Sequence, residues 1–226
     1  MDFKALLLHE SKSWLAINKP SGLIVEKSPF EQKTIEVLAW QYLQTQVKRP
    51  YLGIVHRLDR VTSGVLLLAK KKSSLRLLNQ QFAKKTIQKT YYAIVPQTPE
   101  PQKGHLQNWL EKQQKEKRAI IHEREKPNTK QAILEYKVLD QQQDLSLLEI
   151  KPQTGRFHQI RAQLAHIGCP IVGDEKYGSK VDPAHRKIAL HAGSLSFIDP
   201  ETEQSITIKA PFPEQDHWFY FKQLLK

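Results

Sequence analysis

The chain has 226 residues, 39% hydrophobic and 26% charged, which suits one large folded domain or two tightly joined halves. Lysine and arginine total 35 against 23 acids, a formal charge of +12, so nucleic acid or an anionic membrane is the partner class to weigh first. No apolar run approaches the roughly 20 residues needed to span a bilayer, and Cys169 is the only cysteine, so no internal disulfide can form. A cytoplasmic, soluble protein is the expectation.

In chain order, Trp14-Leu15-Ala16-Ile17 is a short buried strand that ends at the turn signal Pro20-Ser21-Gly22. Thr34 can cap a helix with Ile35, Leu38, Tyr42 and Leu43 on one face. Gly64 to Ala69 is wholly apolar and predicts a central strand. Ser73 can cap the next helix, where Leu75, Leu78 and Phe82 recur, and a strand follows from Lys89 to Val95. The polar stretch from Gln97 to Thr129 predicts hairpins or an exposed insertion. Strands resume over Ala132 to Leu139 and Leu145 to Ile150. An amphipathic helix is expected over 156–167, burying Phe157, Ile160, Leu164 and Ile167. Strands over Ile188 to Phe197 and Ser205 to Lys209 precede a last helix with Trp218, Phe221 and Leu224. Strands and helices do not alternate strictly, which predicts an α+β fold with a mixed, mostly antiparallel sheet and flanking helices.

The positive charge is unevenly spread. Arg60 to Pro99 contains no acid, yet Arg60, Lys70, Lys71, Lys72, Arg76, Lys84, Lys85 and Lys89 fall there. Ile150 to Gly173 is likewise free of acids and holds Lys151, Arg156 and Arg161. Two such stretches point to a surface that tracks phosphates, although a solvated lysine face explains most charge runs. A membrane role fits less well, because the cations are not gathered on one long amphipathic helix.

Two segments concentrate chemistry. In His56-Arg57-Leu58-Asp59-Arg60-Val61-Thr62-Ser63-Gly64, one acid sits among cations immediately before the apolar strand. Neighbouring arginines favour the ionised carboxylate, which suits a nucleophile or electrostatic stabiliser better than a proton donor. For an isolated acid, a salt-bridged turn would be the better reading. In Thr154-Gly155-Arg156-Phe157-His158-Gln159-Ile160-Arg161, His158 and Arg161 are i, i+3 neighbours opposite Phe157 and Ile160, which makes a basic solvent face the simple alternative. The histidines and the cysteine show no paired metal-ligand spacing, and Walker, Rossmann and serine-elbow patterns are absent. Cys169, His191, Trp109 and Trp218 are best read as packing residues.

His56-Arg57-Leu58-Asp59 followed by Thr62-Ser63-Gly64 resembles the signature of the RluA-type pseudouridine synthases. Further segments match in the family's order: Asn18-Lys19-Pro20-Ser21-Gly22, Lys89 to Val95, Gly155 to Arg161 with Gly168 to Asp174, and Leu190-His191-Ala192. The resemblance implies an α+β catalytic domain spanning residues 1–226, with a cleft lined by these motifs. Asp59 would be the essential carboxylate, Tyr91 would pack on the target base, and Arg156 would pair with Asp59. Arg57 would fill the gap left by a flipped base. Arg60, Lys89, His158 and Arg161 complete the expected RNA contacts. Neither cofactor nor metal is implied.

The expected substrate is a uridine in a stem-loop of transfer or ribosomal RNA, since unpaired bases are cheaper to flip. No obligate protein partner is inferred. Two departures stand out: Ala162-Gln163, where the family often has Val-His, and Glu26, where it often has histidine. Both are expected to alter RNA contacts. Few residues precede Asn18, so no separate N-terminal RNA-binding domain is expected. A non-catalytic RNA-binding protein on the same fold, or a glycosylase releasing uracil, are the rival functions.

Overall fold

The computed structural model describes residues 2–179, 187–214 and 216–225. Strand β1 (Leu7–Glu10) leads into β2 (Trp14–Lys19), four of whose first residues are buried in succession. Helix α1 (Ile35–Gln44) starts where the Thr34 hydroxyl accepts the Val37 N–H at 3.3 Å, the expected cap. Its buried stripe is Ile35, Ala39 and Leu43, with Leu38 and Tyr42 at the margins. After the short β3 (Gly53–Ile54) comes β4 (Ser63–Ala69), buried at every position as its unbroken apolar run predicts. Helix α2 (Lys72–Ala83) begins one residue before the predicted cap, and no side chain caps it. The chain continues through β5 (Gln88–Val95), β6 (Lys103–Gln113), β7 (Arg118–His122), β8 (Thr129–Gln142) and β9 (Leu145–Pro152). Helix α3 (Gln159–His166), β10 (Leu190–Ile198), β11 (Ser205–Lys209) and a 3-10 segment (Asp216–Leu225) follow.

The chain divides into two compact units. The first comprises Met1–Lys89 with Ala192–Pro211. There β2 lies between β1 and β4, β3 also pairs with β4, and β11 pairs with β10, every one of these pairs antiparallel. Trp14, Val65, Leu67, Leu78, Leu195 and Phe197 are the centre of its core. The β2–β4 register sets Asn18 opposite Val65 and Lys19 opposite Gly64, so two motifs distant in sequence lie side by side.

The second unit comprises Thr90–His191 with Phe212–Lys226. Its strands run in the order β5-β9-β8-β6-β7, all antiparallel, and the polar middle of the sequence forms the β6–β7 hairpin. Leu110, Ala119, Ala132, Ala162 and Tyr177 pack together as a core cluster, with Phe157 against it. The fold is α+β, as the sequence predicts. Helix α3 is shorter than its sequence pattern, because His158 takes a left-handed conformation (φ 53°, ψ 24°) that breaks the preceding turn. It is also buried on more than one side: Gln159 through Leu164 are all interior, so the amphipathic expectation fails there.

Candidate active site

In the first unit, Asp59 sits on the loop between β3 and β4. Val55 and Leu58 anchor this loop in the interior, while Arg57 and Arg60 face solvent and Asp59 is partly buried. The loop backbone is braced by the Asn18–Gly22 motif. Lys19 has no exposed surface, and its Nζ donates to the carbonyls of Pro20 (2.8 Å), Leu23 (2.8 Å) and Arg60 (3.1 Å). Gly22 N–H reaches the same Arg60 carbonyl at 2.8 Å, and Ser21 Oγ donates to Val61 O at 2.7 Å. Thr62 N–H closes the turn on Asp59 O at 3.1 Å.

Burial pushes the Lys19 ammonium down to about 7, with the Asp59 carboxylate opposing the shift and Arg60 adding to it. Three carbonyl acceptors match the three N–H bonds of the ammonium form. His56 Nε2 accepts the Leu67 N–H at 3.1 Å, so its proton resides on Nδ1. Burial, then the Lys89 charge, hold the imidazole down to about 3, and it is neutral. Lys89 is itself lowered by burial. Gly64 ends the motif at φ +111°, where a Cβ would lie 2.2 Å from Ala192 O, so no other residue fits the backbone at this position.

The acid-free stretch of sequence is not acid-free in space. Arg60 pairs with Glu31, and Arg57, just before the stretch, pairs with Glu26 at 2.7 Å. Lys70 is held by Glu10 at 2.6 Å and by Ser11 O, and Lys71 by Glu201 at 2.9 Å. The expected phosphate track over Lys70 to Lys72 is thus largely countered by carboxylates from elsewhere in the chain.

In the second unit, Tyr91 lies on β5 opposite Ile150 of β9 and is partly buried. Arg156 lies on the turn before α3. Its N–H donates to Gln159 Oε1 at 3.0 Å and its Nε to Gln131 O at 2.8 Å. Gln159 also accepts from Thr154 Oγ1 (2.8 Å) and donates to Ile133 O (3.0 Å), tying this turn to β8.

His158 and Arg161, expected as solvent-facing RNA contacts, form an interior network instead. Arg161 makes a two-armed pair with Asp174, Nε to Oδ2 and Nη2 to Oδ1 both at 2.7 Å, with side chains only 6% and 1% exposed. Arg161 Nη1 lies 2.9 Å from His158 Nε2 and can only donate, so Nε2 accepts and the proton is on Nδ1. That Nδ1 faces Tyr177 OH at 3.0 Å, which also accepts the Ala119 N–H at 2.7 Å. Burial, followed by the Arg161, Lys176 and Lys112 charges, holds His158 down to about 3. The departure at Ala162-Gln163 is interior too: both are buried, and Gln163 Nε2 donates to Asn108 Oδ1 at 2.9 Å, so this pair does not reach RNA.

Asp59, Arg57, Arg60 and Lys89 therefore belong to the first unit, and Tyr91, Arg156, His158 and Arg161 to the second. Lys19 was missed as a functional residue. Its sequence signals were its place at the end of the strand Trp14–Lys19, just ahead of the Pro20 turn, and its membership of the Asn18–Gly22 segment. Among the described residues, no group of three or more His, Cys, Asp or Glu side chains is placed to hold a metal ion. No helix of the described residues is long and apolar enough to cross a membrane.

A family profile described as RNA pseudouridylate synthase matches residues 13–166, more than half the chain. The chain belongs to this family, in its RluA type. It is an RNA pseudouridine synthase, an isomerase. Ribosomal large subunit pseudouridine synthase C of Vibrio vulnificus (strain CMCP6) is 36% identical over 95% of this chain and 68% of its own length. The uncharacterized RNA pseudouridine synthase YlyB of Bacillus subtilis (strain 168) is 33% identical over 92% of the chain and 69% of its own. The solved structure of human RNA Pseudouridylate Synthase Domain Containing 4 superposes with a TM-score of 0.80 at 26% identity, covering 98% of this chain and 94% of that one.

Proposed function

We propose that this synthase isomerises a particular uridine in a structured RNA, with Asp59 as its catalytic carboxylate. Large-subunit ribosomal RNA is the first substrate to test, because relatives such as the Vibrio protein carry that name at 36% identity. The reaction breaks the bond from N1 of uracil to C1′ of ribose, turns the base within the site and joins C5 to C1′; C5 gives up its proton and the freed N1 takes one up, so the product is an isomer of the substrate. Atoms balance without a donor or an electron carrier. Asp59 either attacks C1′ or removes the 2′ proton so that a glycal forms, and both routes begin from the ionised carboxylate. In this proposal Tyr91 stacks on the uracil while it turns, and Arg156 pairs with Asp59. Arg57 and Arg60 engage the strand around the vacated position.

The observation that carries the proposal is the bracing of the Asp59 loop. Lys19, Ser21 and Gly22 hold the carbonyls of Arg60 and Val61 directly after the aspartate. A catalytic group needs this kind of placement, since electrostatic and nucleophilic assistance fall off steeply with misplacement. A salt-bridged surface turn would have no use for a fully buried lysine beneath it.

The test is incubation of wild type and Asp59→Asn with total RNA from cells lacking the gene, followed by mapping of pseudouridine. Wild type should modify one or a few uridines. Asp59→Asn, which keeps shape but removes charge, should lose activity by several orders of magnitude while still binding RNA. Robust turnover by Asp59→Asn would sink the assignment. RNA binding by wild type without any product would point to a non-catalytic role.

A further inference from the structure

Phe30 is 94% exposed, an unusual position for a phenylalanine, and it is held in place. It occupies the turn closed by Ser28 and Glu31, whose backbones form an isolated bridge, with Glu31 N–H on Ser28 O at 3.2 Å. Phe30 N–H itself donates to Ser28 Oγ at 3.2 Å. The two ends of this segment are tied to the loop that bears Asp59, Glu26 to Arg57 and Glu31 to Arg60. The aromatic ring is therefore carried by a turn latched on both sides to the arginines that flank the aspartate. Directly before the turn, Lys27 Nζ lies 5.9 Å from the ring centroid of Trp40, a second aromatic that is 39% exposed.

Rings exposed among cations beside a catalytic loop match how proteins hold unpaired nucleotides. A base stacks on a ring regardless of its identity, and cations follow the phosphates. We propose that Phe30 is a stacking platform for an unpaired base of the substrate RNA near the target uridine. The latch supplies a reason for the two carboxylates. Glu26 and Glu31 hold Arg57 and Arg60 in place until phosphates take over, and the turn that bears Phe30 is positioned by the same contacts. The inference rests on the RNA-modifying role proposed above.

The probes are a short oligouridylate and a blunt RNA duplex of equal length, titrated against wild type, Phe30→Ala and Phe30→Trp. Phe30→Ala should weaken oligouridylate binding about tenfold, within the range found for removal of one base-stacking ring. Phe30→Trp should restore it, and duplex binding should change less than about twofold, since paired bases offer no free face. A thermal melt of each variant checks that this solvent-facing substitution leaves the fold intact. Equal binding of oligouridylate by wild type and Phe30→Ala overturns the proposal. So does an equal loss on both probes, or the absence of oligouridylate binding by wild type. The readout is affinity alone, so a failure of Asp59-dependent product formation would be scored separately and would leave this comparison intact.

Discussion

The strongest disagreement between sequence and structure concerns Arg161, and it can be decided by stability. Its guanidinium and the Asp174 carboxylate share two 2.7 Å contacts with almost no exposed surface. Asp174→Asn removes one charge and leaves the other buried, at a cost of about 3–5 kcal/mol. Arg161→Met leaves the carboxylate buried and should cost a similar amount. In the double variant neither charge remains, so the loss should fall short of the sum of the singles by at least about 1 kcal/mol, as for residues in one network. Urea unfolding of the four proteins measures all of these. A solvent-facing, phosphate-binding Arg161 predicts another pattern: Arg161→Met stability within about 0.5 kcal/mol of wild type, and a log–log salt slope of RNA binding shallower by about 0.7. That pair of results would refute the interior network.

Tyr91→Phe keeps a stacking ring and Tyr91→Ala removes it, so single-turnover rates should fall far more for Ala. Equal, severe losses would assign the role to the hydroxyl instead. His56 should make the protein acid-sensitive. Its imidazole is held down to about 3 from the usual 6.5, so the folded state binds fewer protons than the unfolded between those values. Its contribution is then complete above about pH 6.5 and fades as pH falls, by about 2 kcal/mol at pH 5. His56→Gln retains an acceptor for the Leu67 N–H but cannot titrate, so denaturation midpoints measured at pH 7 and 5 should lie closer together in that variant.

What could be read from the sequence was local. The apolar run of β4, the Thr34 cap and the turn residues at Pro20-Ser21-Gly22 each act within a few positions, and each is found where expected. The Asp59 loop was legible for the same reason, as an acid among cations ahead of a buried strand. Charge runs misled because a run reports neighbours in the chain. Glu10, Glu26, Glu31, Glu201 and Asp174 reach the cations from 13 to 130 positions away. The shortened α3 has a related cause: the bonds from Arg161 and Tyr177 are among the contacts that hold His158 in a left-handed conformation that a non-glycine residue rarely adopts.

The Asn18–Gly22 and His56–Gly64 segments look like separate signatures in the sequence, yet in space they form one device. Lys19 pairs with Gly64 in the strand register, its ammonium reaches the Arg60 carbonyl, and Gly22 and Ser21 hold the same backbone. The first segment has no evident chemistry of its own. Each of its hydrogen bonds nets about 1 kcal/mol, but an unpaired buried carbonyl or a stranded ammonium costs more. Substitution at Lys19 would therefore disturb the loop more than the bonds alone suggest. That difference gives a physical reason for a buried lysine at the end of this strand: it ties the carbonyls of Pro20 and Leu23 to that of Arg60, the residue after the aspartate that the proposed function makes catalytic. In the function proposed above, the chemistry falls to one short segment, while the backbone of that segment is held by another lying some forty positions earlier.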